Sequence, residues 1–280
     1  MRYLLLFSLA FTISCQSLVR KNESEPTKSP SKALFLNKGQ LPKIGLILGP
    51  GTFKAWAHVG VIKEFEKRGI QIHSIAGLEW GALMAALYSS KSTINELEWQ
   101  LSKMKNTRFN YGSSIRQLRS EFQAAFGSSR IEGGKIPFFC PSLLLKNGKT
   151  AWWEKGKYSD ALEKCMAFPP FSQAHYGWVA DAFNVEEAAK KLRDYGAEVI
   201  VFVNVLARGN VLSSGQDSSQ IIWWEGAQRM NETPKGVDWV IGIHTRKYNI
   251  LDADARPSFV LFGQEFGAAA ADKIASEYGF

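Results

Sequence analysis

A five-residue corner, Gly77-Leu78-Glu79-Trp80-Gly81, carries the side chain most open to chemistry. The apolar run Ile70 to Ala76 before it has the pattern of a buried strand, and Ala82 to Tyr88 after it has helical spacing. Glycine at both ends of the corner lets strand and helix approach closely and puts the central residue on a sharp, exposed turn. This is the geometry of a nucleophile elbow, G-x-S-x-G, in which a strained turn holds a reactive hydroxyl above a sheet. Here the central residue is Glu79. A serine alcohol can form and then lose an acyl ester once a base takes its proton. A carboxylate attacking an ester would give an anhydride instead of a stable acyl-enzyme. The scaffold for a serine nucleophile is present without the serine.

The other chemistry-bearing residues are thinly spread. His58 falls inside a helical pattern, where a structural role is expected, and His73, His175 and His244 are too scattered to form a metal site. No metal and no cofactor is expected. Of the three cysteines, Cys140 and Cys165 are either a disulfide closing a 25-residue separation or two buried thiols, and spacing alone does not choose.

The elements that must position the elbow follow from periodicity. Lys43 to Leu48 is a short buried strand broken by Gly49-Pro50-Gly51-Thr52, and Lys54 to Arg68 is a helix with Trp56, Val59, Ile62 and Phe65 on one face. Strand, glycine loop, helix, strand, elbow and helix make a right-handed parallel unit of an α/β sandwich. Helices are expected over 92–103, opened by a cap at Thr93, and over 115–125 and 158–166. Pro137 to Leu145 and Lys149 to Trp153 are paired strands around Asn147-Gly148. Asn184 is an N-cap for a helix ending near Tyr195, Val199 to Leu206 is a central strand, and Val237 to Ile243 is another. Helices over 218–230 and 258–276 complete the chain. Trp152-Trp153 and Trp223-Trp224 are either core or a membrane- or partner-touching surface.

The first residues carry an address. Arg2 is followed by an apolar run from Tyr3 to Ile13, too short for the roughly 20 residues of a membrane span. It is read as a secretion signal over residues 1–14. Thr12-Ile13-Ser14-Cys15 resembles a bacterial lipobox, with Thr12 where leucine is commonest, so Cys15 is expected to be acylated. Residues 15–42 are then the lipidated cysteine and a disordered tether rich in Ser, Lys and Pro, and 43–280 the folded domain. Gln16 resembles lipoproteins sent to the outer membrane, which implies the periplasmic side of that membrane. The net charge is +8, of which the signal holds only Arg2. The basic residues are scattered, which favours attraction to anionic headgroups and argues against a nucleic-acid partner.

From Lys43 to Ser276 these pieces, in this order, resemble the patatin-like phospholipase family. The agreement is best at Ile44-Gly45-Leu46-Ile47-Leu48 with its glycine loop, at Ala57-His58-Val59-Gly60-Val61, at the elbow, and at Asp181 running into Glu186-Glu187-Ala188-Ala189. The resemblance implies a three-layer α/β/α sandwich of patatin type with a mainly parallel central sheet. It also implies a catalytic dyad of an elbow serine and an aspartate from a D-G-G/A motif. Backbone N–H groups from the glycine loop hold the developing oxyanion. Each station is altered. Glu79 replaces the nucleophile. In the oxyanion loop (Gly49, Pro50, Gly51, Thr52 and Lys54), Pro50 has no N–H, Thr52 stands for a glycine, and Ala55 for the glycine after the basic position. Asp181 is retained, but Ala182-Phe183 follows it. Trp56, Trp80 and Phe183 occupy positions where small residues are usual, so they are expected to fill the acyl cleft.

Two functions follow. One is a non-catalytic envelope lipoprotein that binds or scaffolds, with Glu79 paired to Lys54 in a buried network. The other is an active lipid acyl hydrolase with a non-standard site, in which Glu79 faces Asp181 and the two carboxylates share a proton or bind a cation. The first is preferred, because nucleophile and oxyanion loop are altered together.

Overall fold

The computed structural model describes residues 26–28, 40–104, 109–207, 218–245 and 248–280. Strands are β1 (Thr27–Lys28), β2 (Ile44–Leu48), β3 (Ile72–Gly77), β4 (Phe138–Leu144), β5 (Lys149–Trp153), β6 (Trp178–Ala180), β7 (Val199–Asn204) and β8 (Trp239–Gly242). Helices are α1 (Ala57–Lys67), α2 (Gly81–Lys91), α3 (Ile94–Lys103), α4 (Arg119–Phe126), α5 (Tyr158–Cys165), α6 (Val185–Asp194), α7 (Ser218–Asn231) and α8 (Arg256–Tyr278). The sheet order is β1-β8-β7-β2-β3-β4-β5, with β6 paired to β4. The four central pairings, β8–β7, β7–β2, β2–β3 and β3–β4, are parallel, and the pairs at the edges are antiparallel. Helices cover both faces, which makes the chain a three-layer α/β sandwich.

The centre of the sheet is apolar on both sides, as a parallel sheet between helical layers requires. Every residue of β2 and of β7 is buried. On one face α1 and α8 cross with their backbones nearly touching. A Cβ on Gly263 would lie 1.9 Å from the Ala57 carbonyl oxygen, so no larger residue fits the crossing. On the other face α6 lies over Gly45 of β2 through Leu192, with Ala197 of the turn after the helix beside it.

Local signals placed most elements within a few residues. Thr93 caps α3 by accepting from the Glu96 N–H, and the hairpin β4–β5 forms around Asn147-Gly148 as expected. Asn184 departs from expectation. Its side chain does not cap α6, because its amide is turned to Asp181. The stretch taken as a tether also departs in part. Thr27 and Lys28 pair with Val240 and Trp239 of β8, and the Lys28 ammonium meets Glu277 at 2.6 Å. The signal, Cys15 and the rest of the tether lie outside the described residues. Among the described residues no helix is long and apolar enough to cross a membrane.

Cys140 in β4 and Cys165 at the end of α5 form a disulfide, with their Cα atoms 6.0 Å apart. The bond closes a loop of 25 residues, for which chain entropy alone predicts about 3–4 kcal/mol of stabilisation. Replacing both cysteines by alanine should lower the urea midpoint accordingly, and reductant should do the same to the wild type. An unchanged midpoint in both would show that the bond contributes nothing.

Candidate active site and its family

The elbow is built as its glycines require. Leu48 of β2 is in register with Gly77 of β3, so the glycine loop and the elbow leave adjacent strands side by side. The Leu78 N–H donates to the Leu48 carbonyl at 2.9 Å. A Cβ on Gly77 would come within 2.3 Å of Ala82 Cα, and one on Gly81 within 2.3 Å of the Leu48 carbonyl oxygen. Glu79 itself holds φ 53°, the left-handed conformation that costs a non-glycine residue about 1–2 kcal/mol. The strained strand-to-helix turn expected from the glycine spacing is therefore present, and the side chain at its centre is the Glu79 carboxylate.

That carboxylate is not exposed; Glu79 is 1% accessible, against the exposed turn expected from the sequence. It bends into the glycine loop. Glu79 Oε2 accepts from the backbone N–H groups of Gly51 at 3.1 Å and Thr52 at 3.0 Å, and the Thr52 hydroxyl donates to Oε1 at 3.3 Å. Pro50 has no N–H, yet two convergent donors survive in the loop. Both of these loop N–H groups are taken by the chain's own Glu79 side chain. Burial pushes the Glu79 carboxyl up to about 7, against the lowering effect of hydrogen bonds from the backbones of Trp80, Thr52 and Gly51.

Lys54 is not its partner, which corrects the expected ion pair. The Lys54 ammonium is buried, donates to the Thr245 carbonyl at 3.3 Å, and is brought down by burial to about 8. His58 has the structural role expected of it. Its Nε2 bonds the Gly49 carbonyl at 2.8 Å and so ties α1 to the loop, while full burial lowers the ring to about 4. His58 Nε2 is then the protonated nitrogen and the buried Nδ1 has no partner. Thr52, read from the sequence only as a missing glycine, takes φ 46° and bonds Glu79 through both its backbone N–H and its hydroxyl. The family's glycine at that place was the only signal that its backbone conformation is special.

Asp181 does not face Glu79 as a partner. Its Oδ2 accepts from the Thr150 hydroxyl at 2.6 Å and from the Asn184 amide at 2.9 Å, contacts no sequence pattern announced. The alternative arrangement, a Glu79–Asp181 pair sharing a proton, is therefore not formed among the described residues. The aromatic filling is also divided. Trp80 packs with Phe53, Trp56 and Phe109, at ring separations of 5.1, 5.9 and 5.4 Å. Phe183, expected to crowd residue 79, instead meets Phe168 and Trp223 at 5.7 Å and lies against Gly226. A cleft of 360 Å³ between α1, α3 and α8 and one of 520 Å³ beside β4 have neither Glu79 nor Asp181 in their walls.

An α/β sandwich with a strained elbow beside a glycine loop of convergent N–H donors is a serine acyl hydrolase scaffold. Residues 46–188 match the model of the patatin-like phospholipase family, and the chain belongs to that family. Among its relatives, an uncharacterized NTE-family protein of Mycobacterium bovis is 27% identical over 152 residues, which is 51% of this chain and 42% of that one. The lysophospholipase NTE1 of Coccidioides immitis is 25% identical over 233 residues, 76% of this chain but 15% of the relative. The neuropathy target esterase of Drosophila persimilis is 32% identical over 109 residues, covering 34% of this chain and 8% of the relative. The chain therefore spans less than half the length of these proteins. Among solved structures, phosphoglycerate kinase from Pyrococcus horikoshii aligns with a TM-score of 0.26 at 12% identity, over 86% of this chain and 54% of that one, and bears on neither fold nor function.

Proposed function

We infer that the protein is a non-catalytic member of its family, a lipid-anchored envelope protein that binds or scaffolds. One observation carries this reading: the Glu79 carboxylate occupies the two loop N–H groups that would hold a tetrahedral oxyanion. A substrate carbonyl would have to displace a buried group that is already hydrogen-bonded, and the residue it must reach has no hydroxyl. Purified protein should hydrolyse neither short-chain esters nor lysophospholipids above the rate of an Asp181→Asn control. Turnover that depends on Asp181 would overturn the reading.

The competing reading is a lipid acyl hydrolase with a non-standard site, and one contact favours it. Asp181 accepts a hydrogen bond from a hydroxyl, that of Thr150, which is the relation a base has to its nucleophile. The elbow itself carries no hydroxyl and its two loop donors are bonded to Glu79, so the non-catalytic reading is kept. Loss of activity in Thr150→Val, in a protein found to be active, would favour the alternative.

The envelope location rests on the signal-like start, on Ser14-Cys15, and on a disulfide that suits an oxidising compartment. Gln16 favours the outer membrane, on its periplasmic face. Metabolic labelling with a fatty-acid analogue should mark the wild type and spare Cys15→Ala. Equal labelling of the two would remove the anchor from the account.

A further inference from the structure

Helix α7 presents an apolar face to solvent. Trp223, Ala227 and Met230 turn inward and are buried, while Ile221, Ile222 and Trp224 on the opposite side are 59%, 42% and 43% accessible. Further along the outer face, Glu225 and Arg229 pair with each other at 2.6 Å, so the apolar character is confined to the start of the helix. A cluster of large exposed apolar side chains on one short stretch marks a contact surface more often than it marks chance.

The position of α7 narrows what that contact is. The helix is held at the C-terminal end of the parallel strands, the end that carries the elbow. The Asn204 amide, on the last residue of β7, donates to the Met230 carbonyl at 3.1 Å. The Trp223 ring sits among Phe168, Phe171 and Phe183, at 4.9, 5.4 and 5.7 Å. The N-terminal stretch points to the same end. β1 is antiparallel to β8, with Thr27 opposite Val240 and Lys28 opposite Trp239, so the chain preceding Thr27 leaves the sheet at the C-terminal end of β8. Cys15 is twelve positions before Thr27, and that stretch spans at most about 42 Å when fully extended.

We propose that the exposed face of α7 (Ile221, Ile222 and Trp224) is a shallow membrane-docking surface that enters the interface of an anionic lipid leaflet. The proposal rests on the anchor at Cys15 for its orientation: a lipid there draws the elbow end of the sheet, with α7 on it, toward the bilayer. Tryptophan favours the headgroup level, where its ring is buried and its N–H stays wet, and isoleucine adds apolar area below it. The net charge, +8 for the whole sequence and +7 once Arg2 leaves with the signal (8 − 1), supplies long-range attraction to anionic headgroups. Docking by α7 would hold the domain against the leaflet instead of leaving it free at the end of its tether.

The test uses the full mature chain on vesicles of phosphatidylcholine and phosphatidylglycerol that carry brominated acyl chains. Bromine quenches only indoles that reach the bilayer, and the wild type should lose a component of tryptophan emission that the Trp224→Phe variant lacks. Ile221→Asp with Ile222→Asp should abolish that quenching while iodide in solution still reaches Trp224. Equal quenching of the wild type and Trp224→Phe would overturn the proposal. Protection of Trp224 from iodide that grows with protein concentration in the absence of vesicles would assign the face to a second copy, and would also overturn it. The mass of the purified chain reports acylation separately. Quenching of Trp224 in a chain without an acyl group would uphold the docking face and remove the anchor. An acylated chain with Trp224 unquenched would do the reverse.

Discussion

Replacing Glu79 by glutamine is expected to stabilise the folded chain by about 3 kcal/mol at pH 7 and above. The cause is the burial that lifts the carboxyl from its ordinary 4.5 to about 7. A folded-state value above the unfolded one means that the group costs nothing below 4.5, and its contribution is lost as pH rises through 7. The cost accumulates in that window because the unfolded chain ionises freely while the folded one must charge a carboxylate away from water. Glutamine keeps an oxygen for the Gly51 and Thr52 N–H groups and never ionises. His58 acts on the other limb. Burial lowers it from 6.5 to about 4, so stability is lost as pH falls through that range, in wild type and variant alike. Urea midpoints across this range should therefore diverge between wild type and Glu79→Gln on the alkaline side and run together on the acid side. Parallel curves throughout would mean that Glu79 is not carrying a buried charge.

The Glu79→Ser variant is expected to remain a poor hydrolase, although it frees the anion hole. The hydroxyl would return to an elbow whose geometry is intact, and the Gly51 and Thr52 donors would be released. Pro50 is then not the obstacle that its missing N–H implies. What stays missing is the base. Asp181 is engaged by Thr150 and Asn184, and general-base assistance is worth roughly 100- to 10,000-fold. Access is missing too, since Trp80 is buried beside the elbow among Phe53, Trp56 and Phe109. Single-mutant turnover should lie at least about 100-fold below that of an ordinary esterase. Adding Trp80→Ala and Thr150→Val, which open the space and release Asp181, should raise it. Ordinary esterase rates from Glu79→Ser alone would show that the loss rests on one residue and that the surrounding site was never remodelled.

Much of this protein was legible in the residues themselves. The glycine spacing of the elbow, the apolar run of β2 and the Asn-Gly turn of the β4–β5 hairpin are local signals, because each depends on backbone sterics or on burial along a few consecutive positions. They suffice for the order of elements and for the family, and they put a glutamate, Glu79, at the centre of the elbow. For Cys140 and Cys165 the sequence left a disulfide and two buried thiols equally open, and the packing of β4 against α5 decided for the disulfide. The contacts that define the site were decided elsewhere. Glu79 bonds the N–H groups of Gly51 and Thr52, some 28 and 27 positions away, because Leu48 and Gly77 are in register on neighbouring strands. The direction in which a long carboxylate side chain turns from a strained elbow depends on which donors that register brings within reach, so the expected bond to Lys54 failed. Asp181 turned to Thr150 and Phe183 to Trp223 for the same reason: their partners come from β5 and α7, distant in sequence, and burial rewards whichever hydrogen bond and ring contact the packed elements supply.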